Sequence, residues 1–139
     1  MLPLCIALAI ALSDQITKVL IRGNFALHES LPVIPGFFDL RYIQNTGAAW
    51  GMFAGGHLWL ALLSVVMLVV ILVFRRSFLS DSLIDRVCLG LIVGGIAGNL
   101  IDRVRLQYVV DFLDFYWRTH HFPAFNVADS AICVGVGLY

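Results

Sequence analysis

The sequence predicts an all-α membrane protein: four transmembrane helices in a single domain, residues 1–139, with a small outward-facing β-sheet or loop region at the membrane surface. Three observations carry this expectation. Of the 139 residues, 60% are hydrophobic and only 13% are charged, and the mean hydropathy is +0.92, too apolar for a domain whose surface must be wetted by water. The apolar residues gather in four segments. The polar residues between them collect toward one side of the predicted bundle.

The first helix is expected at about 2–21, a 20-residue apolar run interrupted by Asp14 and Lys18. No basic region precedes it and no small-residue cleavage site follows, so it reads as a permanent helix rather than a removed signal peptide. The second, at 58–74, is 17 residues without a charge. The third is expected at 86–104 and the fourth at 126–139. A hydrocarbon core of about 30 Å needs about 20 helical residues, so the third and fourth segments must borrow flanking residues or lie partly in the interface. The fourth reads as a short or truncated span. Gly90, Gly94 and Gly98 form two overlapping G-x-x-x-G steps on the third helix, a pattern that lets neighbouring helices approach closely.

Three connections join the spans, at 22–57, 75–85 and 105–125. The middle one is short and, with Arg75, Arg76 and adjoining Arg86, basic; the bias of Lys and Arg toward cytoplasmic loops therefore places it inside and the longer two outside. In the first outer connection "GFFDLRYIQN" alternates in part, with Phe38, Leu40 and Tyr42 on one side and Asp39 and Arg41 on the other, as in a half-buried strand. Pro32 and Pro35 punctuate its start. The following "NTGAAWGMFAGG" carries turn glycines, and Trp50, Phe53 and Trp59 suit the membrane interface.

With this topology the ionisable residues converge. Asp14 and Lys18 lie one turn apart in the outer half of the first helix. Asn99, Asp102 and Arg103 close the outer end of the third, Asp111 lies just beyond, and Asp129 opens the fourth from the same side. Of nine acids, only Asp81 and Asp85 fall in the inner loop. Ionisable groups at membrane depth are costly and usually functional, so the cluster reads as one site at the outer boundary. The plainer alternative makes Asp14 with Lys18, and Asp102 with Arg103, ion pairs that hold helices together.

The residue types narrow the chemistry. Net charge is zero and no basic run points to nucleic acid. Cys5, Cys88 and Cys133, widely separated in apolar segments, read as buried thiols that pack as small hydrophobes. The only lysine, Lys18, sits four residues from Asp14, a poor activator for a nucleophilic serine. His28, His57, His120 and His121 lack the H-E-x-x-H spacing of a zinc peptidase. Carboxylates remain. Two of them sharing a proton can hydrolyse a peptide if they meet in apolar surroundings, and Asp111 in "VVDF" and Asp129 in "FNVADSAI" have such surroundings. Asp114 is a poorer partner for Asp111, because on a strand residues three apart point to opposite faces. It reads as a rim or structural carboxylate.

Five stretches in order, "SDQITK" (13–18), "NTGAAWGMF" (45–53), "GGIAGNLIDRV" (94–104), "VVDFLDFY" (109–116) and "FPAFNVADSAI" (122–132), make the chain resemble the lipoprotein signal peptidase family, also called signal peptidase II, over essentially its whole length. The resemblance implies a bacterial inner-membrane aspartyl endopeptidase with its site toward the outer face and a small outer sheet. It implies prolipoprotein substrates carrying diacylglycerol on the lipobox cysteine and cut just before it, membrane lipid around them, inhibition by globomycin-type peptides, and no metal or organic cofactor. By motif position Asp111 and Asp129 correspond to the family's catalytic pair; Asp14, Lys18, Asn45, Asn99, Asp102, Arg103 and Asn126 match the polar residues that shape and support its site. The first helix begins with almost no cytoplasmic extension, and the chain stops short of the longer fourth helix and basic tail usual in the family. Phe112, Phe115, Tyr116, Trp117, Phe122 and Phe125 are expected to form an apolar wall or lid. A proton-coupled transporter or channel subunit is the alternative, but its acids belong near the midplane; a purely structural membrane subunit is a third reading.

Overall fold

The structure, a computed structural model, describes residues 1–47, 56–78 and 82–139. Trp50, Phe53, most of the glycine-rich stretch and Asp81 lie outside them. Helix α1 runs Leu2–Asn24, α2 His57–Phe78, α3 Leu83–Leu106 and α4 Val127–Leu138; strands β1 (Ser30–Ile34), β2 (Phe38–Asn45), β3 (Val109–Trp117) and β4 (His120–His121) complete the fold. Three of the helices, α1, α2 and α3, are long and apolar enough to cross a membrane, while α4 is a 12-residue apolar helix. Each long helix extends beyond its expected bounds because polar residues such as Arg22, Asn24 and Arg105 continue the backbone hydrogen bonding past the apolar run.

Helix α3 is the centre of the bundle and packs against α1, α2 and α4. Its glycines explain the closeness. A Cβ on Gly90 would lie 2.7 Å from Cβ of Ile6, and one on Gly94 2.7 Å from the Ala7 carbonyl oxygen, while Gly95 meets the α4 backbone at Ala128. The small-residue seam thus serves α1 on one side and α4 on the other. Leucines, valines and isoleucines on the outward faces of α1 and α2, among them Leu8, Leu12, Leu63 and Val73, are exposed, as lipid-facing residues must be. Of the three cysteines only Cys88 is buried; Cys5 and Cys133 are exposed, so the expectation of three packed thiols is corrected.

The sheet is antiparallel in the order β1-β2-β3-β4. The alternation read in "FDLRYIQN" corresponds to β2, and Tyr42 is its most buried residue. Pro32 is accommodated because β1 is an edge strand, and Gly36 makes the β1–β2 turn at φ 81°. A small core of Ile21, Tyr42, Val110 and Phe112, with Phe25, Leu40, Leu106 and Val127 packed on it, joins the sheet to the ends of α1 and α3 and the start of α4. That junction positions the polar cluster.

Candidate active site

The site is built where four elements meet. β3 follows α3 after Gln107, whose left-handed φ of 68° ends the helix and turns the chain. Asp102 anchors the turn by accepting the Val110 backbone N–H at 3.0 Å. Asp111 follows, only 2% exposed. A register shift between Leu40 and Ile43 sets Ile43 opposite Asp111, which makes Asn45 its diagonal neighbour on the same sheet face. Asn45 Nδ2 donates to Asp111 Oδ2 at 2.9 Å, and its own Oδ1 accepts from the Gly47 N–H at 2.9 Å.

Asp129 arrives from the first turn of α4. Asn126 caps that helix: its side chain accepts from the Asp129 N–H at 2.9 Å, while the Asp129 carboxylate accepts from the Asn126 N–H at 3.3 Å, a reciprocal capping box. The fully buried Asn126 amide also donates to Asp111 Oδ1 at 2.8 Å. One side chain therefore sets both acids.

Beneath them lies a buried charge network. Lys18 Nζ bridges Asp14 Oδ2 at 2.8 Å and Asp102 Oδ2 at 3.1 Å, and donates to Asn99 Oδ1 at 2.9 Å. Asn99 passes the connection upward, donating to Asp129 Oδ1 at 2.7 Å. Asp14 Oδ1 accepts from the Ala128 N–H at 3.0 Å, satisfying a free donor of the α4 N-terminus where negative charge is favoured. Asp102 pairs with Lys18 across α1 and α3, not with its neighbour Arg103. Arg103, half-buried, makes no side-chain hydrogen bond or ion pair among the described residues.

Asp111, Asp129, Asn45, Asn99 and Arg103 all line one cavity of about 790 Å³, whose other walls include Ile43, Val109, Phe122, Phe125, Ile132 and Cys133. Its surface is thus mainly apolar with a few convergent polar groups, the usual character of a substrate site. Burial, and then the charge of Asp129, push the Asp111 carboxyl up to about 7, against the lowering pull of hydrogen bonds from Asn45 and Asn126. A carboxyl that holds its proton near neutrality, on the same cavity as a second carboxyl, suits acid–base work.

One expectation changes. Only Phe122 and Phe125 of the six aromatics line the cavity; Phe112 belongs to the core, Phe115 stacks on Phe38 at 4.5 Å, Tyr116 stacks on His121 at 4.9 Å, and Trp117 is exposed. Asp114, on the opposite face of β3, is buried, forms an ion pair with Arg41 Nη1 at 3.6 Å and meets His121 Nδ1 at 2.9 Å. Gln15 joins the network, donating to Asp102 Oδ1 at 2.9 Å. It stands between Asp14 and Lys18 in "SDQITK", but reading only charges passes over an uncharged amide. Among the described residues no cluster of three or more His, Cys, Asp or Glu suits a metal ion.

Residues 6–139 match the family model described as signal peptidase (SPase) II. The chain belongs to the signal peptidase II family. It is 49% identical over 138 residues to a lipoprotein signal peptidase of Syntrophotalea carbinolica, covering 97% of this chain and 86% of the relative, and 53% identical over 128 residues to one of Geobacter sulfurreducens, covering 90% and 80%. The fold is also similar to a bacterial membrane enzyme solved by the in meso method at 2.3 Å, with a TM-score of 0.90 at 34% identity over 98% of this chain and 83% of the other. A second such structure, at 1.9 Å, gives a TM-score of 0.86, also at 34% identity, over 98% and 88%. Family membership makes the chain a membrane-embedded aspartic endopeptidase of signal-peptide processing. The transporter alternative finds no support among these relatives.

Proposed function

We propose that this chain removes the signal peptide from diacylglyceryl-modified prolipoproteins, with Asp111 and Asp129 as the catalytic pair. The observation that carries the assignment is the position of two carboxyls from separate elements, β3 and the α4 N-terminus, on one apolar cavity, with Asp111 raised to about 7 by burial and by Asp129. Asp129 takes a proton from water as its oxygen attacks the scissile carbonyl, and Asp111 gives its proton to the carbonyl oxygen. In the second half, the tetrahedral carbon expels the cysteine nitrogen, which receives the proton held by Asp129, while a hydroxyl proton returns to Asp111. Water is consumed and the pair regains its starting state.

The other residues hold this arrangement. Asn126 and Asn45 aim Asp111, Asn99 aims Asp129, and Asp14, Lys18 and Asp102 form the charged floor. Arg103, at the cavity wall within the field of the Asp129 and Asp111 carboxyls, serves a peptide carbonyl of the substrate. The acyl chains remain against Ile132 and neighbouring apolar surface while the peptide reaches the acids. A globomycin-type peptide inhibits by occupying the same space. The reading places the single domain in the bacterial inner membrane with α4 as a fourth, short span, the α2–α3 connection in the cytoplasm and the site on the outer side.

Cleavage of a lipidated precursor as a function of pH tests the pair: the rate falls on both sides of an optimum, because one proton must be present and one absent. A rate flat from acid to alkaline pH contradicts it. Reporter fusions in the α2–α3 connection test the orientation, with cytoplasmic signal expected.

A further inference from the structure

On the other side of the Lys18–Asp102 floor lies a shallow groove between α1 and α3 of only about 10 Å³, so that a ligand meets the side chains at its edge rather than its interior, and it shares no lining residue with the catalytic cavity. From it we infer a binding site for the phosphate of an anionic phospholipid. Gln15, Val19 and Arg22 contribute one helical stripe of α1, and Arg105 and Leu106 face them from α3. Arg22 and Arg105 stand in the last turns of their helices, which run side by side in the same direction and end together. Both are exposed, and among the described residues neither guanidinium forms a hydrogen bond or ion pair.

Two exposed guanidiniums lining one groove at the ends of membrane-length helices supply the positive charge and the N–H donors that a phosphodiester takes. Lys18, already held between Asp14 and Asp102, leaves the two arginines as the cations available to a ligand there. Directly below, the α1 stripe continues through Leu12 and Leu8, both exposed, where the acyl chains of the same lipid would lie. A soluble anion would use the arginines and waste the stripe; a phospholipid uses both. The site requires only that these helix ends stand at a headgroup layer, and so does not depend on which side of the membrane holds the catalytic pair.

Native mass spectrometry of the full chain released from nanodiscs of equimolar phosphatidylcholine and phosphatidylglycerol tests this. The wild type should retain phosphatidylglycerol selectively. R22Q/R105Q should lower that selectivity about 30-fold, which is about 2 kcal/mol at about 1.4 kcal/mol per tenfold, and each single variant about fivefold, so that the test stands even if the double variant is recovered poorly. R118Q, which removes an exposed arginine from the β3–β4 turn, should leave the selectivity intact. The inference is overturned if R22Q/R105Q and both single variants keep wild-type selectivity, if R118Q loses as much as they do, or if glycerophosphate in solution displaces the retained lipid.

Discussion

Replacing Asp111 by asparagine separates a catalytic carboxyl from a structural one through the pH dependence of stability. The folded state raises this carboxyl from 3.8 to about 7, so between those values it holds a proton that the unfolded chain has released. Stability relative to a non-titrating residue is therefore fully present below pH 3.8 and declines as pH rises through about 7. That rise from 3.8 to about 7 corresponds to about 4 kcal/mol, since a tenfold change in proton affinity is about 1.36 kcal/mol. Because Asp111 is only 2% exposed, little of this is screened by solvent. D111N does not titrate, and its cost from facing the Asn45 or Asn126 amide with a second donor, about 1–3 kcal/mol, is the same at every pH. Comparing the two proteins at pH 5 and pH 8 cancels that cost. The wild type should lose about 3 kcal/mol relative to D111N over this interval, read as denaturant unfolding in detergent by tryptophan fluorescence. Parallel pH dependence of the two proteins refutes the raised carboxyl, and a wild type that gains on D111N toward pH 8 reverses its sign.

Four further substitutions probe the supports. N126A removes the cap of α4 and a donor to Asp111 together; it should destabilise by about 2–3 kcal/mol and lower precursor turnover more than tenfold, measured on protein shown by circular dichroism to be folded. G94A brings a Cβ within 2.7 Å of the Ala7 carbonyl oxygen and should cost about 1–3 kcal/mol, whereas G23A, with nothing within 4 Å, should be neutral or slightly stabilising in the same unfolding assay. K18M leaves Asp14 and Asp102 buried without their cation and should cost about 3–5 kcal/mol, visible as a lowered melting temperature.

Much of this fold was legible because membrane helices announce themselves by length and lack of charge. α2, with no charged residue from Leu58 to Phe74, needed no tertiary information. The convergence of Asp14, Lys18, Asn99, Asp102, Asp111 and Asp129 was also readable, since helix direction and loop length alone bring those positions to one end. Pairing within the cluster was not. Whether Asp102 meets Arg103 or Lys18 depends on how closely the α3 glycines let α1 approach, and adjacent residues on a helix point in different directions. The aromatics of "VVDFLDFY" show the same limit: strand alternation and the β2 register send Phe112 to the core and Phe115 to Phe38, leaving Phe122 and Phe125 at the cavity. Asp114 with His121 depends on a two-residue strand, β4, too short to leave a periodic signal.

The most direct test of the catalytic pair is a gel-shift assay of a diacylglyceryl-modified prolipoprotein with D111N, D129N and D114N, each shown to be folded. D111N and D129N should leave the precursor uncut, while D114N, which alters only the carboxyl on the far face of β3, should still cut it. Full turnover by either D111N or D129N would contradict the account.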